Sequence, residues 1–181
     1  MIHGKTLGGD VKAVVNGGAL VIEAISIKKM SIASEFSVIV VDTGIRAKTS
    51  DTVAAVRAQY EQGEGKVIID KIGVLTEEII QLIVSADIVH DTGFHTKVAQ
   101  NHQLLCDLGL GIVQVQEVIA ILDSHGIAGK MSGKGRGGIV IGFVESEISA
   151  QTVLADLHAQ NYKAWIPEVD QEGIYCCVED E

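Results

Sequence analysis

Thirteen consecutive residues, Gly126–Gly138 (GIAGKMSGKGRGG), constrain this chain more than any other stretch. They hold six glycines, two lysines, one arginine and no acid, in a chain of 181 residues whose formal net charge is −10. Glycine lets a backbone take positive φ and approach a ligand without a Cβ in the way. Basic side chains beside such a loop point to phosphate or another anion. A helical apolar pattern runs into the first glycine and a strand pattern leaves the last, and this order disposes of two familiar phosphate loops. Gly133, Gly135 and Gly138 satisfy GxGxxG, but a dinucleotide fold needs the strand before that pattern and the helix after it. A P-loop needs glycine, four residues, then Gly-Lys-Ser/Thr. Here Gly133-Lys134 is followed by Gly135, and the residue five before Gly133 is Ala128. By itself such a segment is more often a tight helix-to-strand turn than an anion cradle.

Composition narrows the setting. The length suits one domain with a real core, burying roughly 70% of its unfolded surface, and a single domain over 1–181 is expected. The chain is 47% hydrophobic, which argues against disorder. Its apolar runs, IIQLIVSADIV and GIVIGFV, fall well short of the ~20 residues a membrane span needs, and MIHGKTLGGD has no apolar signal-peptide core. The acidic balance disfavours a nucleic-acid or anionic-membrane partner. Cys106, Cys176 and Cys177 suit neither a disulfide framework nor a spaced zinc site, so a reducing cytoplasm is the expected home. The histidines are scattered, with His90 and His95 at the wrong spacing for one helical face, and no metal site is expected.

Along the chain, GGALVIEAISI reads as a strand entered through a turn, and SVIVVD (37–42) as a second, ending in Asp42-Thr43-Gly44. Helices follow: one capped at Thr49 or Ser50 and stopped by Gly63 and Gly65, and one capped at Thr76. A third runs from about Phe94 to Leu108, and a fourth carries Val115, Val118, Ile119 and Leu122. After the glycine loop the pattern becomes βαββ, with Pro167 at a strand exit, where a missing N–H costs little. Two carboxylates sit where chemistry is possible. Asp10, among Gly4, Gly8 and Gly9, is either a turn former or a general base at a phosphoryl-transfer site. Asp42-Thr43 at a strand end has the same two readings.

Taken together these segments resemble the GHMP kinases, and more narrowly the mevalonate kinases. Lys130-Met131-Ser132-Gly133-Lys134-Gly135-Arg136-Gly137-Gly138, opening a strand, is similar to their third conserved motif. His3-Gly4-Lys5-Thr6-Leu7-Gly8-Gly9-Asp10, with Gly17-Gly18-Ala19-Leu20 following, looks like the segment holding their catalytic aspartate. Asp42-Thr43-Gly44 with Thr49, and Asn101-His102-Gln103-Leu104-Leu105 with Leu108-Gly109, match two more segments in order. The resemblance covers nearly all of this chain and the C-terminal half of a family member. It implies an α+β fold, with an antiparallel ferredoxin-like sheet and a helical layer. It implies Asp10 as the catalytic residue, His3 and Thr43 on the substrate side, and Lys130, Ser132, Gly133, Lys134, Gly135 and Arg136 along the phosphate loop. ATP and Mg2+ are the implied cofactors, and mevalonate, phosphorylated on its 5-hydroxyl, the implied substrate.

Departures are equally specific. Thr6-Leu7 stands where the family usually has Pro-Ser, and Lys134 and Arg136 are bulky where its third motif is nearly all small. The family's first motif and its serine-rich second loop have no counterpart here. The resemblance therefore implies a partner, either a complementary N-terminal half or a second copy, with an uncovered apolar patch expected near Gly17 to Ile25. A non-catalytic binding or assembly module of the same fold, and a kinase for another GHMP substrate, are the alternatives.

Overall fold

The computed structural model describes residues 8–23, 26–33, 35–85 and 88–174. They fall into two compact units, one built from Met1–Ile32 with Glu168–Glu181, the other from Ala33–Pro167.

In the smaller unit, helix α1 (Gly9–Asn16) is followed by strands β1 (Leu20–Ile22) and β2 (Ile27–Lys29), paired antiparallel. The run expected as one strand is thus a short hairpin. Its base is tied to the 168–174 segment: Gly18 N–H donates to Asp170 O, and Lys29 Nζ to Gln171 O. Leu20–Ile22 are half-buried, while Val11, Val14 and Val15 on α1 and Ile27 on β2 are exposed.

The larger unit holds β3 (Ser37–Asp42), helices α2 (Thr49–Glu61), α3 (Glu64–Ser85), α4 (Thr92–Asp107) and α5 (Val113–Ser124), then β4 (Gly129–Ser132), β5 (Ile139–Val144), α6 (Glu147–Ala159) and β6 (Lys163–Trp165). The sheet order is β4-β5-β3-β6, with every neighbouring pair antiparallel. This is the α+β, ferredoxin-like arrangement the resemblance implies. Period-two alternation sends Ile39, Val41, Met131, Val140 and Val144 to one face. There they form a core with Val115, Val118, Ile119 and Leu122 of α5 and Ala150, Val153 and Leu157 of α6. Gly129 and Gly142 are register partners, and a Cβ on either would lie within 3.2 Å of Leu122. The paired glycines are the shelf on which that leucine sits. A second cluster joins Phe94 and Val98 of α4 to Ile88, Ala128 and the edge-packed rings of Phe36 and Phe143.

Four local expectations differ from what forms. Neither Thr49 nor Ser50 caps α2, which begins at Thr49 with Lys48 in the N-cap position and no side-chain cap bond. Thr76 does not cap a helix: α3 begins at Glu64, and the Thr76 hydroxyl donates to Ile72 O one turn back. Gly65 is not a stop but a close-approach residue, where a Cβ would meet the Tyr60 backbone N at 2.6 Å. The Gly126–Gly138 segment is not one loop. Its middle, Gly129–Ser132, is β4, so the glycine-rich turn proper is the β4–β5 hairpin, residues 133–138.

Candidate phosphate-loop site

Register explains why this hairpin matters. Asp42 of β3 pairs with Ile139 of β5, so the exit of β3 meets the end of the glycine turn although 95 residues separate Thr43 from Gly138. Thr43 is buried, and both its N–H and its hydroxyl donate to Gly138 O at 2.9 Å. Gly138 N–H in turn donates to Ile45 O at 2.9 Å. Gly137, at φ +113, packs so closely that a Cβ would sit 2.8 Å from Ile45. Asp42 is held separately. It accepts both terminal nitrogens of Arg46 and the Gly44 N–H. The Arg46 bonds first, and the Gly44 N–H second, hold its carboxyl below the usual range. A carboxylate so engaged is a structural anchor.

The other wall is the α4–α5 connection. Arg136, in the left-handed region at φ 56, donates its N–H to Leu110 O at 2.7 Å and its Nε–H to Gly109 O at 3.1 Å. Its side chain is turned back onto the scaffold. Lys134 is exposed at the tip of the turn. Lys130 and Ser132 alternate with the core residues Gly129 and Met131, so both stand on the sheet face away from α5 and α6. Lys130 is half-buried and pairs with no described carboxylate, and burial lowers its ammonium pKa. Among the described residues, the N–H groups of Lys134, Gly135 and Gly137 also find no acceptor. A partly desolvated cation, a hydroxyl and N–H donors without a described acceptor on one glycine hairpin are the donor set an anionic phosphate takes. The residues therefore fit a nucleotide phosphate. For Mg2+, which takes mostly phosphate and water oxygens, no group of three His, Cys, Asp or Glu side chains comes together among the described residues.

β4 is an edge strand, and its outer N–H groups need partners. Met131 N–H donates to Nδ1 of the buried His102, at 3.3 Å, on α4. The unprotonated nitrogen is thus Nδ1, and Nε2 faces the Gln116 amide at 3.2 Å and Cys106 Sγ at 3.6 Å. Burial, the largest influence, pushes the imidazole pKa down. Sequence reading placed His102 in a matched segment without assigning it this contact. The histidine follows a 3.6-residue stripe, and nothing in that stripe marks which backbone N–H it meets.

Of the remaining sequence-derived site residues, Asp10 is exposed in the first turn of α1, after Gly8 at φ 65. An acid there complements the helix N-terminus. His3 lies outside the described residues, as do Cys176 and Cys177. The larger unit brings together Thr43, Lys130, Ser132, Gly133, Lys134, Gly135 and Arg136. To these it adds the carbonyls of Ile45, Gly109 and Leu110, which side-chain chemistry gives no means of finding.

Comparison with known proteins agrees with this fold. Residues 94–164 match the family model described as GHMP kinases C terminal. Mouse mevalonate kinase is 23% identical over 183 residues, covering 96% of this chain and 46% of the mouse protein. The solved structure of L. major mevalonate kinase in complex with R-mevalonate superposes with a TM-score of 0.83 at 21% identity, over 95% of this chain and 55% of that one. Streptococcus pneumoniae phosphomevalonate kinase, solved with phosphomevalonate and AMPPNP, gives 0.66 at 15% identity, over 78% of this chain and 43% of that one. The chain thus spans about half the length of the relatives it matches. Residues 94–164 thus match the GHMP kinase C-terminal family model, and the chain as a whole has the α+β fold seen in the C-terminal half of the mevalonate kinases.

Proposed function

We propose that this chain supplies the C-terminal half of a mevalonate kinase-type phosphotransferase, acting with a complementary half that carries the nucleotide's main phosphate loop. The observation that carries this is the half-buried Lys130, paired with no carboxylate among the described residues, beside Ser132 on a glycine hairpin within a segment matching the GHMP kinase C-terminal family. In the proposed reaction the mevalonate 5-oxygen bonds to the γ-phosphorus of ATP and the bond from that phosphorus to the β–γ bridging oxygen breaks. ADP leaves, and the hydroxyl proton passes to Asp10. Phosphoryl transfer asks mainly for positioning and charge stabilisation. Lys130, Ser132 and the N–H groups at Gly133, Lys134, Gly135 and Gly137 supply that charge stabilisation, with Lys134 as an exposed second cation. Arg136 and Thr43 hold the hairpin in shape, Thr43 serving the substrate side through the loop it anchors, and His3, outside the described residues, is assigned to substrate binding by the family resemblance alone. ATP and Mg2+ are the cofactors, and the cytoplasm is the proposed site of action.

The test mixes the chain with a complementary N-terminal half and follows ADP release with mevalonate. Turnover is expected, and Asp10→Asn is expected to abolish it without changing the circular dichroism spectrum. A soluble, associated pair that releases no ADP would overturn the catalytic reading, and turnover retained by the Asn variant would remove Asp10 from its role. A second reading, another small-molecule kinase of the same family, is favoured by the likeness to the phosphomevalonate kinase and to a homoserine kinase from Cytophaga hutchinsonii, TM-score 0.57. The same assay with those two substrates separates it.

A further inference from the structure

β4 lies at the edge of its sheet. The alternation of an antiparallel ladder turns the backbone groups of Lys130 and Ser132 toward β5 and those of Met131 outward. An outward N–H on an edge strand is ordinarily left to water. Here Met131 N–H donates to Nδ1 of His102 at 3.3 Å, and that side chain is 5% exposed. Among the described residues, His102 is the only side chain hydrogen-bonded to the β4 backbone. The donating N–H belongs to the planar Lys130–Met131 peptide. Its direction therefore fixes Lys130 ψ and Met131 φ, the torsions that set where Lys130 and Ser132 stand on their shared sheet face.

His102 accepts this bond only as a neutral ring with Nδ1 unprotonated, so its proton sits on Nε2. The Gln116 amide lies 3.2 Å from Nε2 and 3.0 Å from Cys106 Sγ. A proton on Nε2 turns the amide oxygen toward the ring, and that oxygen holds the tautomer in place. Burial, the largest influence on this imidazole, favours the same neutral form. We infer that His102, on α4 and outside the glycine hairpin, is a positioning residue for phosphate: through Met131 N–H it holds Lys130 and Ser132 in the arrangement a triphosphate chain binds, with Gln116 of α5 fixing its tautomer. The inference rests on the phosphotransferase reading, because it takes the hairpin to be a phosphate site. The ligand is the polyphosphate chain itself, so sodium tripolyphosphate is the probe and no complementary half is needed.

The 15N-labelled full chain is titrated with tripolyphosphate into the tens of millimolar, at constant ionic strength and neutral pH. The amide signals of Lys130, Ser132 and residues 133–137 are followed. These signals are expected to move with a millimolar Kd, and the ring 15N spectrum to show Nδ1 of His102 unprotonated. His102→Leu removes the acceptor and is expected to raise the Kd at least about fivefold. His102→Asn sets a carboxamide oxygen at the place of Nδ1 and is expected to keep the Kd within about twofold, with the Met131 amide shift close to the parent's. Asparagine fills less of the histidine's volume than leucine, so rescue by it separates the acceptor's role from packing. Thermal midpoints show whether each variant folds, and if the leucine variant does not, the asparagine variant and the ring spectrum decide. Parent amides indifferent to tripolyphosphate overturn the phosphate reading and this inference with it. A binding parent overturns this inference alone if His102→Leu binds equally well, if His102→Asn loses fivefold or more, or if Nδ1 carries the proton.

Discussion

Arg136 shows what a single residue in a phosphate-like loop can be used for. Its charge invites a role facing the anion, yet its Nε–H is engaged with Gly109 O, and its backbone sits at a positive φ that glycine would take at no cost. Two effects oppose each other. The left-handed conformation costs an arginine about 1–2 kcal/mol relative to glycine, while its hydrogen bond to Gly109 contributes about 1 kcal/mol. Arg136→Gly removes both, whereas Arg136→Ala keeps the strain and loses the bond. The alanine variant is therefore expected to unfold in urea about 1 kcal/mol more easily than the glycine variant, inverting the usual helix-derived ranking of these residues. Equal midpoints would mean the strain is absorbed elsewhere. The sequence displayed the arginine and the glycines around it. It could not display a carbonyl 27 positions away, because main-chain acceptors are the same at every residue.

Among elements, β4 is the one that patterns hid. Four residues, two of them glycine and lysine, carry no β-branched side chain and sit inside a glycine-rich run. Their strand identity comes from pairing with β5 and from α4 along the outer edge, both of them long-range. β3 and β5 were legible because each is a short apolar run rich in β-branched valine and isoleucine. The α3 start was misplaced because Thr76 followed by two glutamates imitates a capped N-terminus, while the hydrogen bond to Ile72 keeps that threonine inside the helix. The edge of β4 has a pH consequence. His102 must be neutral at Nδ1 to accept Met131 N–H, and burial with the nearby Lys130 favours that form, against Gln116 and Asp123, which favour the charged one. The unfolded chain takes up a proton near pH 6.5 while the folded chain does so only lower. Stability is therefore full above about pH 6.5 and falls as pH drops through the window below it, by at most about 1.4 kcal/mol per unit. Denaturant titrations at pH 7.5, 6.5 and 5.5 are expected to show this fall in the parent and a shallower one in His102→Gln, whose amide oxygen also accepts. Parallel slopes would take His102 out of that account.

For the molecule as a whole, the order of four matching segments made the family legible at 23% identity. The spacing of motifs is preserved by the fold even where side chains change. The pairing of 8–32 with 168–174 was not legible, since Gly17 and Gly173 meet through backbone atoms alone. The scale also sets what the chain can hold. The donors proposed to face phosphate on the hairpin are one lysine in the sheet, one at the tip and a few N–H groups, in a chain of net charge −10 that repels a polyanion at long range. A nucleotide site needs walls for base and ribose and usually a helix N-terminus on the phosphates, and the relatives are about twice this length. Calorimetric titration of the chain alone with MgATP is accordingly expected to give a Kd weaker than about 1 mM, or under about 4 kcal/mol of binding. Addition of the complementary half is expected to tighten it at least about tenfold, with Lys130→Ala reversing most of that gain through loss of a partly desolvated charge pair. Micromolar binding by the chain alone would show that the hairpin is a self-sufficient anion site, and the dependence on a second half would fall.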